Sequence, residues 1–77
     1  MALSDAQLAD AIVRYLNANT EPFQEFLLDE FNINTLVDFN VDPDDKKRRV
    51  IAITTLDAGG GPLNEPRQYA LRIEPVK

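Results

Sequence analysis

The hydrophobic pattern of the sequence changes its period near residue 33, and this change limits the folds that the chain can adopt. Before residue 33, apolar residues recur at intervals of three and four, which is typical of amphipathic helices. After it, apolar and polar residues alternate, which is typical of half-buried strands. Helices followed by strands within 77 residues predict one α+β domain that spans residues 1–77.

Two helices are expected before the change of period. The first begins after Ser4, because Ser4 and Gln7 match the capping box, in which each residue satisfies a free backbone N–H of the other. It ends near Asn19, since asparagine tolerates the left-handed geometry found at helix ends. The second helix is expected from about Glu21 to Phe31, with Pro22 in the first turn, where proline is tolerated.

Three strands are expected after the change of period, namely residues 33–41, 49–56 and 67–74. The turn of residues 42–45 (Asp-Pro-Asp-Asp) and the Gly- and Pro-rich loop of residues 57–66 separate them. The middle strand is apolar on both faces near its centre, as expected of a central strand. The sequence therefore predicts a three-stranded antiparallel β-meander.

The simplest arrangement packs both helices on one face of this sheet. Leu36, and some of Ile51, Ile53 and Val76, are then left on the uncovered face. A half-covered sheet with free edges is a natural assembly surface. A chain of this length buries only about 60% of its unfolded surface, so oligomerisation is a common way for such a domain to gain stability.

Phenylalanines mark one face of the second helix. Phe23, Phe26 and Phe31 recur with Leu27 at helical spacing. One interpretation is a core stripe, which is where phenylalanine is usually found. The other is an aromatic docking surface for a second subunit, and spacing does not separate the two. Phe23, Phe26, Phe31 and Leu36 are therefore candidate interface residues.

The composition excludes several classes of active site. The chain has no histidine and no cysteine, which removes Ser–His and Cys–His nucleophilic sites and the usual zinc ligands. Asp38, Asp42, Asp44 and Asp45 lack the spacing of a calcium loop, and the glycines of residues 59–61 are not followed by the Lys-Ser or Lys-Thr of a phosphate loop. We expect no enzyme activity, no metal and no cofactor.

One basic cluster, Lys46, Lys47, Arg48 and Arg49, directly follows the acidic turn. One interpretation is a charge-balanced hairpin tip, and the other is a contact with phosphate or with an acidic surface. The net charge of −5 repels phosphate backbones at long range, so only an incidental DNA contact is expected. The longest apolar run, residues 50–53, is far too short to span a bilayer, and no membrane partner is expected.

Three stretches resemble small virion proteins of tailed bacteriophages, of the head–tail neck and tail-terminator type. They are the Leu8–Asn17 helix, the Arg49–Ile53 strand, and Gly59–Pro62 leading into the alternating strand Glu65–Ile73. The segment from residue 21 to residue 41 departs from this pattern. The resemblance implies a homo-oligomeric ring that assembles with other virion subunits, made in the host cytoplasm and located in the virion.

Two functions from different classes are therefore expected. The first is a structural virion protein of a tailed phage, a neck, tail-terminator or related tail or capsid component, which acts by protein–protein assembly. The alternative is a small acidic binding protein, an inhibitor or regulator of a basic protein partner. It follows from the net charge of −5 and from Asp42, Asp44 and Asp45, which are displayed on one turn.

Overall fold

The computed structural model describes residues 2–57 and 65–76 of the chain. Two helices are followed by a three-stranded antiparallel sheet with strand order β1-β2-β3. The elements are α1 (Asp5–Ala18), α2 (Thr20–Phe31), β1 (Thr35–Val41), β2 (Val50–Asp57) and β3 (Arg67–Arg72). The predicted α+β class, the two helices and the three-stranded meander are confirmed, and so is the central position of the middle strand.

The helix starts and ends follow local side-chain chemistry. The Ser4 hydroxyl accepts the Gln7 N–H at 3.1 Å and the Gln7 side chain accepts the Ser4 N–H at 2.9 Å, which completes the predicted capping box. At the other end of α1, Asn19 separates the two helices. Helix α2 is capped after Phe31 by Asn32, which takes the left-handed conformation with φ 55°.

Strand β1 begins two residues later than the alternation of the sequence predicts, at Thr35 instead of Ile33. The Ile33 N–H donates to the Leu27 carbonyl at 3.2 Å, so Ile33 closes the end of α2. Strand β2 includes Asp57, which the sequence places in the following loop, and β3 ends at Arg72. Residues 58–64 of the predicted loop lie outside the described residues.

The core lies between the two helices and strands β1 and β2. Its buried apolar residues in the described part of the chain are Ala9, Val13, Val37, Phe39 and Ile51. Phe23 packs against this group from α2, with its ring edge-to-face to Phe39 at a centroid distance of 5.7 Å. Because the apolar face of β1 and the centre of β2 supply most of the core, these two strands position both helices.

The strand register separates the two faces of the sheet, because residues directly opposite each other share a face. Ile51 is only 1% exposed and Ile53 is half-buried, and both lie on the helix-covered face with Phe39. Of the residues named for the uncovered face, Ile51 and Ile53 therefore do not lie there. Leu36 lies on the uncovered face as expected, and Val76 is 96% exposed.

Candidate functional site

The helices cover only two of the three strands. Helix α1 lies over β1 and β2, helix α2 lies over β1, and no Cα of either helix comes within 8 Å of a Cα in β3. On the helix-facing side of β3, Tyr69 is 51% exposed and Leu71 is 47% exposed. Their partners across the strand pair are Ile53 and the buried Ile51. The fully buried core therefore ends at β2, with Ile73 packed at its border, and β3 carries two apolar side chains that the described chain leaves about half exposed.

Side-chain amides from both helices occupy the outer edge of β1. The Asn17 Nδ2 donates to the Phe39 carbonyl at 2.8 Å, and the Asn17 Oδ1 accepts the Phe39 N–H at 3.4 Å. The Gln24 Oε1 accepts the Val37 N–H at 2.9 Å. The free backbone groups of an edge strand are a template for pairing with another chain. Here a second chain cannot pair with the middle of β1 without displacing Asn17 and Gln24.

The outer edge of β3 has no comparable cover among the described residues. The Ile73 N–H donates to the Arg49 carbonyl at 2.8 Å, directly after the end of β3. Residues that bond to the neighbouring strand alternate with residues whose backbone groups point away from it. In this register Gln68, Ala70 and Arg72 direct their backbone groups away from β2, and no described residue bonds to them.

We call this region the β3 surface, defined by the side chains of Tyr69 and Leu71 and the outward backbone groups of Gln68, Ala70 and Arg72. It combines unpaired hydrogen-bonding groups with apolar side chains that lie beside them on the same strand. A strand edge of this kind binds extended polypeptide, because the backbone bonds supply affinity and the side chains supply specificity.

One flank of α1 carries two further exposed apolar side chains. Leu8 is 39% exposed and Tyr15 is 69% exposed. At about 100° per helical residue, both lie on the side of α1 opposite to Asn17. Asn17 reaches over the edge of β1, so this apolar flank faces the β3 side of the molecule. Helix and strand therefore present apolar side chains on the same side of the core.

A groove of about 560 Å³ lies at one end of the helix-covered face. Leu27 and Ile33 line it from α2 and the residues that follow, and Tyr69 lines it from β3. Asp57 and Arg67 contribute opposite charges to its wall. Within the described residues there is no group of three or more carboxylates that could hold a metal ion. The groove adjoins the β3 surface at Tyr69.

The four candidate interface residues lie in three different places. Phe23 is half-buried and packs on Phe39 in the core. Phe26 and Phe31 are 51% and 60% exposed, and their rings contact each other edge-to-face at 6.0 Å. Leu36 is 53% exposed on the opposite face of the sheet. The structure does not bring these residues together into one surface.

The connection between β1 and β2 is held by the carboxylates of the acidic turn. Asp42 accepts the Asp44 N–H at 2.9 Å, and Asp45 accepts the N–H groups of Arg49 at 2.8 Å and Lys47 at 3.4 Å. The hydrogen bond from the Arg49 N–H lowers the pKa of the Asp45 carboxyl below its ordinary value. These contacts make Asp42 and Asp45 structural parts of the turn.

The basic cluster lies in this same connection. Lys46, Lys47 and Arg48 are exposed and Arg49 is half-buried. Among the described residues, no carboxylate oxygen lies within 4.0 Å of a side-chain nitrogen of the cluster. Arg48 has a positive φ of 55°, which turns the chain back toward β2. The turn therefore carries three exposed cations and the half-buried Arg49 beside its carboxylates. Two of these carboxylates, those of Asp42 and Asp45, already accept backbone N–H groups.

Asn17 and Gln24 are the site residues that the sequence pattern does not identify. Each lies at the margin of the apolar stripe of its helix, Asn17 four residues after Val13 and Gln24 three residues before Leu27, and the sequence only indicates that Asn17 is close to a helix end. In the sequence, the one sign that these side chains reach a sheet edge is that each is an amide at the margin of an apolar stripe. The pattern does not say which backbone group such an amide contacts.

These features define a small α+β protein with one sheet edge occupied by its own side chains and one edge to which no described residue bonds. Comparison of the chain with protein-family models, with curated proteins and with solved structures found no match. Neither helix of the described chain is long and apolar enough to cross a membrane.

Proposed function

We propose that this chain is a structural protein that acts by assembling with other protein subunits. The observation that carries the proposal is the difference between the two sheet edges. Asn17 and Gln24 occupy the middle of the β1 edge, whereas no described residue bonds to the β3 edge beside the exposed side chains of Tyr69 and Leu71. Natural sheets usually protect their free edges, so an open edge next to an apolar strip favours a binding role.

The energetics of a small core support the same proposal. Below about 70–80 residues, a single core rarely supplies more than roughly 3–5 kcal/mol, and this chain has no cysteine or histidine to add a disulfide or a zinc site. Burying a large apolar side chain contributes about 1.5–3 kcal/mol. Because Tyr69 and Leu71 are about half exposed, covering them in an assembly would add roughly 1 kcal/mol for each.

The particular assembly that we propose is a small virion component of a tailed phage, at the neck, the tail terminator or a related part of the tail or capsid. Its support is the resemblance of the Leu8–Asn17, Arg49–Ile53 and Glu65–Ile73 stretches to such proteins. Mass spectrometry of particles purified from the source of the sequence tests this part. A constant copy number per particle is expected, and particles that lack the chain would contradict the virion location.

Light scattering of the purified chain across a concentration range tests assembly itself. We expect a discrete multi-subunit species, or addition of the chain to preformed particles. The substitution Leu71→Lys places a charge on the β3 surface and should abolish both. Leu28→Lys is the matched control, because Leu28 is similarly exposed and lies on α2, which does not reach β3. A wild-type chain that stays monomeric and binds no particle would overturn the proposal.

The basic cluster has a separate role in this proposal, as a contact with an acidic partner surface or with DNA. The double substitution of Lys46 and Lys47 by Glu should reduce particle yield or DNA retention. It should leave folding unchanged, because both side chains are exposed and make no ion pair with a described residue. Unchanged particle yield and infectivity would show that the cluster has no part in assembly.

A second candidate function is binding to a basic protein, as a small acidic inhibitor or regulator. Its support is the net charge of −5 together with the exposed Asp44 at the tip of the turn. Attraction between opposite charges is screened by salt. Binding to a basic target should therefore weaken steeply between low and physiological ionic strength, and salt-insensitive binding would contradict this function.

A further inference from the structure

We infer that β3 pairs antiparallel with β3 of a second copy of this chain, about a two-fold axis at Ala70. The two three-stranded sheets then form one continuous sheet. This inference rests on the proposed assembly function and names the partner, the strand and the register. It is carried by the chemistry of the two sheet edges.

The occupied edge of β1 decides which symmetry is available. A ring or filament formed by sheet continuation would join β3 of one copy to β1 of the next, which requires two open edges. Asn17 already bonds both outward backbone groups of Phe39, and Gln24 already accepts the outward N–H of Val37 on β1. Within the described chain, the open edge that a second copy offers to β3 is its own β3. The sheet contact is therefore isologous, and a ring needs a further contact elsewhere.

Pairing about Ala70 uses every outward-facing residue of β3. Ala70 lies opposite Ala70 of the second copy, and Gln68 lies opposite Arg72 of the second copy. All three are residues whose backbone groups point away from β2, so each pair can exchange both of its backbone hydrogen bonds. The alanines at the axis have the smallest side chains of the strand, which lets the two backbones approach closely.

Registers shifted toward the start of β3 lose hydrogen bonds. With the axis at Gln68, Ala70 lies opposite Pro66 of the second copy, and proline has no N–H to donate. With the axis at Tyr69, Arg72 lies opposite that same proline. In both cases one outward-facing residue of β3 makes an incomplete pair.

Registers shifted toward the end of β3 bring unfavourable neighbours. With the axis at Arg72, two arginines lie directly opposite each other, and like charges in this position destabilise a strand pair. With the axis at Leu71, Gln68 must pair with Glu74, which lies beyond the end of β3 and makes an ion pair of 3.6 Å with Arg72. The axis at Ala70 keeps all the pairs within β3 and opposes no like charges.

The side chains on the helix-facing side fit the same register. Tyr69 lies opposite Leu71 of the second copy, and the reverse contact is equivalent by symmetry. Aromatic residues opposite aliphatic ones stabilise strand pairs. The two-fold axis is perpendicular to the sheet, so both helix layers lie on one side, and neither helix extends over β3 to obstruct the partner. The four side chains form one apolar cluster, with Leu8 and Tyr15 of each copy beside it.

Disulfide formation tests the pairing, because the chain has no cysteine of its own. In the inferred register, two Ala70→Cys residues have Cα atoms about 5.5 Å apart, within the range that disulfides span. Asn40→Cys is the matched control, since Asn40, Ala52 and Ala70 form one row across the sheet and Asn40 is exposed on β1. Under mild oxidation, Ala70→Cys should link on the order of tenfold faster than Asn40→Cys, because paired thiols have a high effective concentration.

Two further variants test the register. Gln68→Cys and Arg72→Cys should each link slowly alone and rapidly when mixed, because they lie opposite each other. Rapid self-linking of either variant would overturn the Ala70 register. Ala70→Pro should return the chain to a monomer in light scattering, since it removes an outward N–H and no bond to β2. Its fold is checked by circular dichroism.

The outcomes separate this inference from the proposed function. A wild-type chain that assembles or is found in particles, but whose Ala70→Cys variant links no faster than Asn40→Cys, keeps the proposed function and overturns the β3 pairing. A wild-type chain that is monomeric and binds no particle overturns both. Selective linking at Ala70 together with linking of the Gln68→Cys and Arg72→Cys mixture supports the inference.

Discussion

Asn17 bonds to both backbone groups of Phe39 through its side-chain amide, at 2.8 and 3.4 Å. This is the pattern that a neighbouring strand would make with the same residue. The Gln24 side chain makes one of these two hydrogen bonds at Val37, where its Oε1 accepts the backbone N–H at 2.9 Å. Two amides on the helices therefore protect β1 from pairing with another chain, and no described residue does so for β3.

Replacing Asn17 by Ala should lower the free energy of unfolding and make β1 a second open edge. Loss of two hydrogen bonds costs about 1–3 kcal/mol, and the better helix propensity of alanine returns roughly 0.5 kcal/mol. Urea unfolding should show a net loss of about 1 kcal/mol in the free energy of unfolding. Light scattering should show larger species than the wild type forms, because the edge of β1 can then pair with another chain. Asn40→Ala, which removes an exposed contact to Asp38, is the control. Equal behaviour of the two variants would show that Asn17 does not protect the edge.

Asp45 gives the chain a pH-dependent contribution to stability. Its folded pKa lies below its unfolded value, chiefly because the carboxylate accepts the Arg49 N–H. A depressed pKa contributes stability that is present above the unfolded pKa of about 3.9 and is lost as the pH falls through the folded pKa. Asp45→Asn should therefore be less stable than the wild type at pH 6, and the difference should shrink below about pH 4.

Urea unfolding at both pH values measures this effect. Asp44→Asn is the control, because within the described chain the Asp44 carboxylate accepts no hydrogen bond. Its difference from the wild type should change less with pH. A stability difference for Asp45→Asn that does not change with pH would show that ionisation of the Asp45 carboxyl does not contribute to stability.

At the scale of the elements, the phenylalanine stripe of α2 divides between the core and the surface. Phe23 lies on the side of the helix that meets β1 and contacts Phe39, whereas Phe26 lies about 60° further round and stays 51% exposed. Phe31 follows the last turn of α2 and packs only on Phe26 among the described aromatic rings. The helix meets a narrow core, and its apolar face is wider than that core.

Alanine substitutions distinguish the two positions. Phe23→Ala removes an edge-to-face contact and part of the core, so it should cost about 2–3 kcal/mol. Phe26→Ala should cost less than about 1 kcal/mol, because half of the ring is already in contact with solvent. Urea unfolding of the two variants under the same conditions compares them directly. A larger loss for Phe26→Ala would mean that the other side of α2 is packed.

The sequence predicts the elements well because their causes are local. The capping pair Ser4 and Gln7 and the alternation in β1 depend on neighbours a few residues apart. The alternation places the start of β1 two residues too early, because Ile33 continues it but donates its N–H to the Leu27 carbonyl. The uncovered β3 was not predictable, since Tyr69 and Leu71 alternate like any half-buried strand. Their exposure depends on where the helices cross the sheet.

At the scale of the whole molecule, stability and assembly are linked. The core of the described chain is small and lies to one side of the sheet, while β3 holds two of its apolar side chains half exposed. A partner that binds the folded state and not the unfolded state raises the stability of the folded state by mass action. If the partner is a second copy of the chain, the stability must depend on the concentration of the chain itself.

The urea midpoint of the wild-type chain should therefore rise with protein concentration. For a dimer, a tenfold increase in concentration adds about 1.4 kcal/mol per dimer. The free energy of unfolding falls linearly with urea, and the slope typical of small domains converts this gain into a rise of the urea midpoint on the order of 0.5 M. Leu71→Lys should have a midpoint that is independent of concentration, whereas Leu28→Lys should keep the shift. A wild-type midpoint that is constant over a hundredfold range would show that the folded monomer is stable by itself and that β3 is not covered by a second copy.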